Sequence, residues 1–111
     1  MPDEDAKRAA HRALADRILT GPGQASAELR AQAYGNTGVP PPLRALIGKV
    51  ETRPAQITDA DFEAARAAGF SEDQLFELVI AAAVGQSTRL YEAGLAALAE
   101  AAGREGADDA T

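Results

Sequence analysis

The segment from residue 72 to about residue 102 most constrains the fold, because its pattern predicts one long helix that is apolar on two sides. At about 1.5 Å per residue this helix is roughly 45 Å long, with Gly85 and Gly94 as weak points inside it. One face holds the residues expected in the core, which are Leu75, Leu78, Val79, Ala82, Ala83, Leu90, Ala93 and Ala97. A second face holds Ile80, Val84, Tyr91, Leu95 and Leu98.

This two-sided apolar helix needs cover on both faces. Four shorter helices suffice to cover one side of it but not two, so we expect a second copy of the chain or a related subunit to cover the other. The alternative is that the N-terminal helix folds over the second face within a single chain. The pattern favours an oligomer over a monomer.

Proline, glycine and capping residues divide the rest of the chain into four shorter predicted helices. The first spans residues 4–19, and its apolar face is made of Ala6, Ala10, Leu14 and Ile18. The second follows the cap Ser26 and ends near Tyr34, and the third follows the prolines at 40–42 and ends before Arg53. No strand-like alternation occurs, so the predicted fold class is all-α, a small bundle of about five helices with a long C-terminal helix.

Capping residues locate the corner between the last two helices. Thr58 and Asp61 form a cap pair that predicts a helix start at Asp59. Gly69 ends that helix, and Ser71 with Gln74 forms the capping box that starts the long helix. At 111 residues and 46% hydrophobic content, we expect one domain over residues 1–102 and a disordered tail over residues 103–111.

Composition excludes several classes of chemistry. The chain has no cysteine and one histidine, so it cannot form disulfides, thiolate metal sites or a CxxC peroxidase centre, and we expect neither a metal nor a cofactor. The formal net charge of −6 argues against nucleic acid and anionic membrane surfaces as partners. The longest apolar run, residues 78–85, is too short to span a membrane, and the acidic start has no signal-peptide core, so a cytoplasmic location is expected.

Gln86 and Arg89 are the predicted ligand-binding residues, one turn apart on the core-facing side of the long helix. A guanidinium beside an amide suits a carboxylate or carbonyl ligand. The alternative, which the sequence favours, is that Arg89 forms a buried structural ion pair with Glu63, Glu92 or an acid of a neighbouring subunit.

Glu77 and His11 are the remaining candidates for proton transfer, and Arg89 completes the set of catalytic candidates. Burial of Glu77 on the second apolar face would raise its pKa and make it a general base, whereas an exposed acid in the first helical turn is the simpler alternative. Histidine is the side-chain type best suited to proton transfer at neutral pH, but His11 is expected on an exposed face of the first helix.

Residues 57–90, ITDADFEAARAAGFSEDQLFELVIAAAVGQSTRL, resemble the carboxymuconolactone decarboxylase and AhpD-like alkylhydroperoxidase superfamily in the half that follows its redox motif. With residues 43–50, the resemblance covers about half of the chain. It implies an all-helical fold that assembles as dimers, trimers or hexamers. The family's CxxC with its Glu and His is missing, and Val84, Gly85 and Gln86 stand where an aromatic residue and Asn are usual, so only Arg89 carries over.

Three functional hypotheses follow. The favoured one is a non-catalytic, non-redox AhpD-like protein that acts as a homo-oligomer or as a subunit paired with a related AhpD-like protein. The second is a thiol-independent decarboxylase-like enzyme, in which Arg89 holds a carboxylate and Glu77 or His11 moves protons. The third is a small-carboxylate-binding protein that uses Gln86 and Arg89.

Overall fold

A computed structural model describes the backbone of residues 2–109 and the side chains of residues 5–104. Its helices are α1 (Pro2–Thr20), α2 (Ala27–Gly35), α3 (Pro41–Thr52), α4 (Asp59–Ala67) and α5 (Glu72–Asp109), with a short 3-10 helix at Pro54–Gln56. No strand occurs in this part of the chain. The predicted all-α class and the long C-terminal helix are therefore confirmed.

Side-chain caps begin the helices where the sequence predicted them. Ser26 Oγ accepts a hydrogen bond from the Leu29 amide at 3.1 Å, and the Asp61 carboxylate accepts one from the Thr58 amide at 2.9 Å. Ser71 and Gln74 satisfy each other's amides at 2.8 and 3.1 Å. These bonds fix the short connections that turn the chain back on itself.

The core lies where α5 packs against α2 and α3. Its largest fully buried side chains are Leu43, Leu46, Ile47, Leu75 and Leu78. Alanines fill the space between these leucines and isoleucine and let the helix backbones approach closely. The core therefore uses only the first half of α5.

Gly85 marks the closest approach between two helices. A Cβ added at this glycine would collide with the backbone carbonyl of Tyr34, in the last turn of α2. Because that obstacle is backbone, it cannot move aside as a flexible side chain would. Gly85 is therefore required by packing, although glycine weakens a helix interior.

Of the predicted apolar face of α1, only Ile18 packs against the core. Ala6 and Ala10 are exposed, and Leu14 is 46% exposed. The face turned inward contains buried Ala15 and half-buried His11. The N-terminal helix therefore does fold over part of the second face of α5, the arrangement that the sequence left as the alternative.

The predicted faces of α5 are correct only in its first half. Leu75, Leu78 and Ala82 are buried as expected, and Ala81 and Gly85 join them. Val79 is half-buried and packs against the core, also as expected. The other four core predictions are wrong, because these residues are exposed: Ala83, Leu90, Ala93 and Ala97. The helix also continues past residue 102 to Asp109. The predicted disordered tail, residues 103–111, lies mostly outside the residues whose side chains are described and stays a prediction.

An unpaired stripe runs along α5 on the side opposite the core. Its residues recur alternately every three and four positions, the spacing of a heptad repeat, and we call the stripe the α5 seam. The seam consists of Asp73, Phe76, Ile80, Ala83, Ser87, Leu90, Gly94, Ala97, Ala101 and Arg104. Phe76 is 68% exposed and Leu90 is 64% exposed. The long helix gives the molecule its extents of 63 × 28 × 21 Å.

The apolar character of α5 does not amount to a membrane span. Across the part of the chain that the structure describes, no helix combines the length and the hydropathy that crossing a bilayer needs.

Candidate functional site

Polar contacts occupy the predicted pocket at Gln86 and Arg89. Arg89 donates from Nη2 to Glu51 Oε1 at 2.7 Å and from Nη1 to the Tyr34 carbonyl at 2.8 Å. Its Nε donates to Gln86 Oε1 at 3.2 Å. The Tyr34 carbonyl belongs to the last turn of α2, where helix carbonyls lack intrahelical partners. Arg89 thus joins α5 to both α2 and α3.

Arg89 lies on the side of α5 that faces α2 and α3, as predicted, but its side chain is 41% exposed and therefore not buried. The arginine does form an ion pair, but the acid is Glu51 on α3 rather than Glu63 or Glu92. The Glu51 side chain is only 5% exposed, so its charge needs a paired cation to be tolerated. Three cavities in the described part of the chain are lined by residues other than Gln86 and Arg89.

Glu77 caps a loop and is not set up as a general base. Its carboxylate accepts hydrogen bonds from the Ala25 amide at 2.6 Å and the Gln24 amide at 2.7 Å. These bonds from Ala25 and Gln24 hold the pKa of Glu77 below its usual range. The hypothesis of a buried Glu77 with a raised pKa is therefore wrong.

Arg30 completes a clamp on the same turn between α1 and α2. Its Nη1 donates to the Ile18 carbonyl at 2.9 Å and to the Gly21 carbonyl at 2.6 Å. Arg30 is buried, and its Nε has no partner among the described residues. Arg30 and Glu77 together satisfy donors and acceptors that the turn leaves unpaired.

Acid should weaken the folded state through Glu77 and Asp61. The Lys49 ammonium, 2.9 Å away, lowers the pKa of Asp61, as the loop amides lower that of Glu77. Because both pKa values are lower in the folded chain, the stabilisation is complete above the ordinary carboxyl range, about pH 4 to 5, and is lost as the pH falls through the folded values. Urea titrations between neutral pH and pH 3 should show this loss.

The Glu77→Gln variant isolates the contribution of the Glu77 loop cap to the pH dependence of stability. We expect it to have a weaker dependence of unfolding free energy on pH than the wild-type chain has. Glu63→Gln, at an exposed position on α4, should keep the wild-type dependence. An unchanged pH dependence in Glu77→Gln would contradict the assignment of the cap.

Several charged, hydroxyl and aromatic side chains line a groove of about 380 Å³ between α1 and α5. The α1 wall consists of Arg8, His11, Arg12 and Ala15. Tyr34 of α2 closes one end, and the α5 wall consists of Thr88, Tyr91, Glu92 and Leu95. The ring of His11 stacks on that of Tyr91 with centroids 5.6 Å apart. His11 is therefore half-buried in a groove and is not the surface histidine that the sequence predicted.

Hydrogen bonds define the tautomer of His11. Thr88 Oγ1 donates to the Val84 carbonyl at 2.8 Å and accepts from the Tyr34 hydroxyl at 2.8 Å. His11 Nε2 lies 2.7 Å from the same oxygen. A hydroxyl has one proton to donate and two lone pairs to accept with, so His11 must be the donor through Nε2–H. Thr88 is then fully satisfied.

This arrangement suits binding better than covalent catalysis. A nucleophilic hydroxyl needs a neighbouring base to take its proton. The proton of Thr88 is directed to a backbone carbonyl, and the nearest imidazole nitrogen carries a proton of its own. The groove therefore offers cations, hydroxyls and an aromatic wall but no activated nucleophile.

Sequence reasoning singled out only His11 among the residues of this groove. The face of α1 was nevertheless readable, since Arg8, His11, Arg12 and Ala15 follow the i, i+3, i+4, i+7 spacing of one helical side. Tyr34 and Thr88 gave no comparable signal, because only the packing of α2 on α5 brings them together.

Metal binding has no geometric basis in the described side chains, since no three of their His, Cys, Asp and Glu groups converge on a common point. Comparison of the chain with protein-family models, with curated proteins and with solved structures gives no match. The resemblance of residues 57–90 to the AhpD-like superfamily accordingly stays a prediction.

Proposed function

We propose that this protein is a non-catalytic helical subunit that self-associates by antiparallel pairing of α5 with α5 of a second copy. The observation that carries the proposal is the α5 seam, a heptad repeat from Asp73 to Arg104 that is exposed at every position except the half-buried Ala101. Helices with this spacing pair by inserting side chains of one into gaps of the other.

Size complementarity favours one register of the two helices. Each heptad of the seam contributes two positions, one followed by a step of three residues and one followed by a step of four. In an antiparallel pair, each residue at the first position faces a residue at the second position of the other helix. One register places Phe76 opposite Ala101, Ile80 opposite Ala97, Leu90 opposite Ser87, and Gly94 opposite Ala83. Every large side chain then meets a small one, which allows close packing.

Charge supports the same register. The outermost layer of the seam places Asp73 of one copy opposite Arg104 of the other, and the twofold axis repeats this pair at the far end. Both residues are exposed in the single chain. A parallel pair would instead set each charge against its own copy and lose that complementarity.

The position of the core is compatible with this pairing. The seam lies on the side of α5 opposite Leu78 and Ala82, which are fully buried. The core helices α2 and α3 therefore lie behind the contact, while α1 and α4 flank its start near Phe76. At about 1.5 Å per residue the seam is roughly 47 Å long, and its alanines and glycine suit the short end of the usual 8–10 Å helix separation.

Composition and the resemblance support what we propose for the role, the location and the partners of this subunit. The AhpD-like superfamily is oligomeric, which supports self-association, and the missing CxxC supports a non-redox role. We place the protein in the cytoplasm, without nucleic acid as a partner, and the net charge of −6 supports the latter point.

Leu90→Glu tests the association. Leu90 is exposed in the single chain, so the variant should fold normally by circular dichroism, but a dimer would bury two new charges near its axis. We expect the wild-type chain to sediment as a dimer and Leu90→Glu as a monomer. Leu14→Glu, on exposed α1, is the matched control and should remain dimeric. A monomeric wild-type chain at every concentration would overturn the proposal.

Introduced cysteines test the register, since the natural chain has none. Positions 83 and 94 face each other across the proposed contact, but within one helix they are about 16 Å apart, too far for a disulfide. The double variant Ala83→Cys/Gly94→Cys should therefore form covalent dimers on oxidation. Ala83→Cys alone should stay reduced, whereas a parallel pair would cross-link this single variant.

A further inference from the structure

The groove between α1 and α5 contains more positive charge than packing requires. Helix α1 has an alternative face with Ala10 and Leu14, yet it turns Arg8, His11 and Arg12 towards α5. Both arginines line the groove but remain exposed, so their guanidinium groups are accessible to a ligand. Departures of this kind from the apolar-inward pattern are typical of functional sites.

The two arginines of the groove lack ion-pair partners within residues 5–104, where the ion pairs are Lys49–Asp61, Arg66–Glu72 and Arg89–Glu51. Glu92 supplies one negative charge on the opposite wall. Two permanent positive charges therefore face one negative charge. In a chain with a net charge of −6, this groove is a local site of attraction for anions.

The other groove residues define the body of the ligand. Ala15 and Leu95 are apolar, and the stacked rings of His11 and Tyr91 add aromatic surface. The Thr88 hydroxyl is already satisfied by three partners, so it adds no free donor. A volume of about 380 Å³ lies within the range of small-molecule sites.

We propose that this groove binds a small aromatic carboxylate, with the carboxylate at Arg8 and Arg12 and the ring against Tyr91 and Leu95. Guanidinium groups match the planar geometry of a carboxylate and form charge-assisted hydrogen bonds with it. An inorganic anion would satisfy the arginines but leave the apolar wall unused. The groove contains no seam residue, so this binding does not depend on the proposed dimer.

Benzoate is the probe for this site, and His11 is the reporter. The chain has a single histidine, so its ring proton signals are identified in an NMR spectrum without further assignment. We expect benzoate to shift these signals in a saturable manner at constant pH. Benzamide, which has the same ring without the charge, should leave them unchanged, and inorganic phosphate should bind at least about tenfold more weakly.

Arginine variants locate the anion. Arg12→Met should weaken benzoate binding by about tenfold, because a charge-assisted hydrogen bond is lost. Arg53→Met is the matched control, since Arg53 is exposed at the end of α3, outside the groove, and should leave binding unchanged. Thermal unfolding checks that both variants fold. Equal shifts from benzamide, equally tight phosphate binding, or unaltered binding by a folded Arg12→Met variant would each overturn the proposal.

Discussion

Gly85→Ala should lower the free energy of unfolding by about 3 kcal/mol, the upper end of the usual effect of overpacking a core. The added methyl group would collide with the backbone carbonyl of Tyr34. Relief requires α2 and α5 to separate, and α2 is the main neighbour of α5 in the fold. The separation would also disturb the bond from Arg89 to the same carbonyl. Urea denaturation measures the effect as a lower transition midpoint.

Gly48→Ala is the matched control for this substitution. Gly48 is also a helix-interior glycine, in α3, but a Cβ there meets no atom within 4 Å. The better helix propensity of alanine should then stabilise the chain by about 0.5 to 1 kcal/mol. If Gly85→Ala and Gly48→Ala shifted the midpoint in the same direction, the close approach of α2 and α5 would not be the reason for the glycine at position 85.

Arg30→Met should destabilise the chain by about 3 kcal/mol, because two hydrogen bonds from a charged donor to the carbonyls of Ile18 and Gly21 are lost. Methionine keeps most of the length of the side chain, so the change mainly removes the charge and the donors. The positive charge of Arg30 also acts favourably on Glu77, and this attraction disappears as well. Chemical denaturation monitored by circular dichroism gives the free-energy difference.

Arg44→Met tests whether any arginine bonded to a carbonyl has this effect. Arg44 is exposed and makes one such bond, from Nε to the Val39 carbonyl at 3.1 Å. Exposed polar contacts contribute little, so we expect a loss below about 0.5 kcal/mol. Comparable losses in both variants would show that burial of Arg30 at the turn between α1 and α2 is unimportant.

Local chemistry made the order of the helices predictable. The caps at Ser26, Thr58 and Ser71 act on amides two or three residues away, so their effect does not depend on the rest of the fold. Gly69, with a φ of +103°, ends α4 for an equally local reason. Such short-range signals determine where helices begin and end, but not which helix faces pack together.

The facing of α1 could not be predicted in the same way. Because of its alanines, the faces of α1 differ little in hydrophobicity. Burying one face rather than another therefore changes the free energy of folding only slightly. The orientation depends instead on His11 meeting Thr88, residues 77 positions apart in the chain. A contact of that kind becomes visible only once α1, α2 and α5 are assembled.

The faces of α5 were ambiguous for a related reason. Alanine, glycine and leucine occur on every side of this helix, so a helical wheel does not distinguish the core from the seam. The close approach of α2 determines which side of α5 is buried, because only the side with Gly85 has room for the backbone of Tyr34. Leu90, predicted in the core, is consequently exposed.

On heating, the far end of α5 should open more readily than the turns that pack in the core. Beyond the groove, between residues 96 and 104, every side chain except the half-buried Ala101 is exposed. Nucleation is the unfavourable step in forming a helix, and the first turns of α5 are already held in the core. The remaining turns therefore need only to propagate from these helical turns. The turns beyond the groove are therefore held mainly by the helix propensity of their alanines, while the anchored turns open only when the whole chain unfolds.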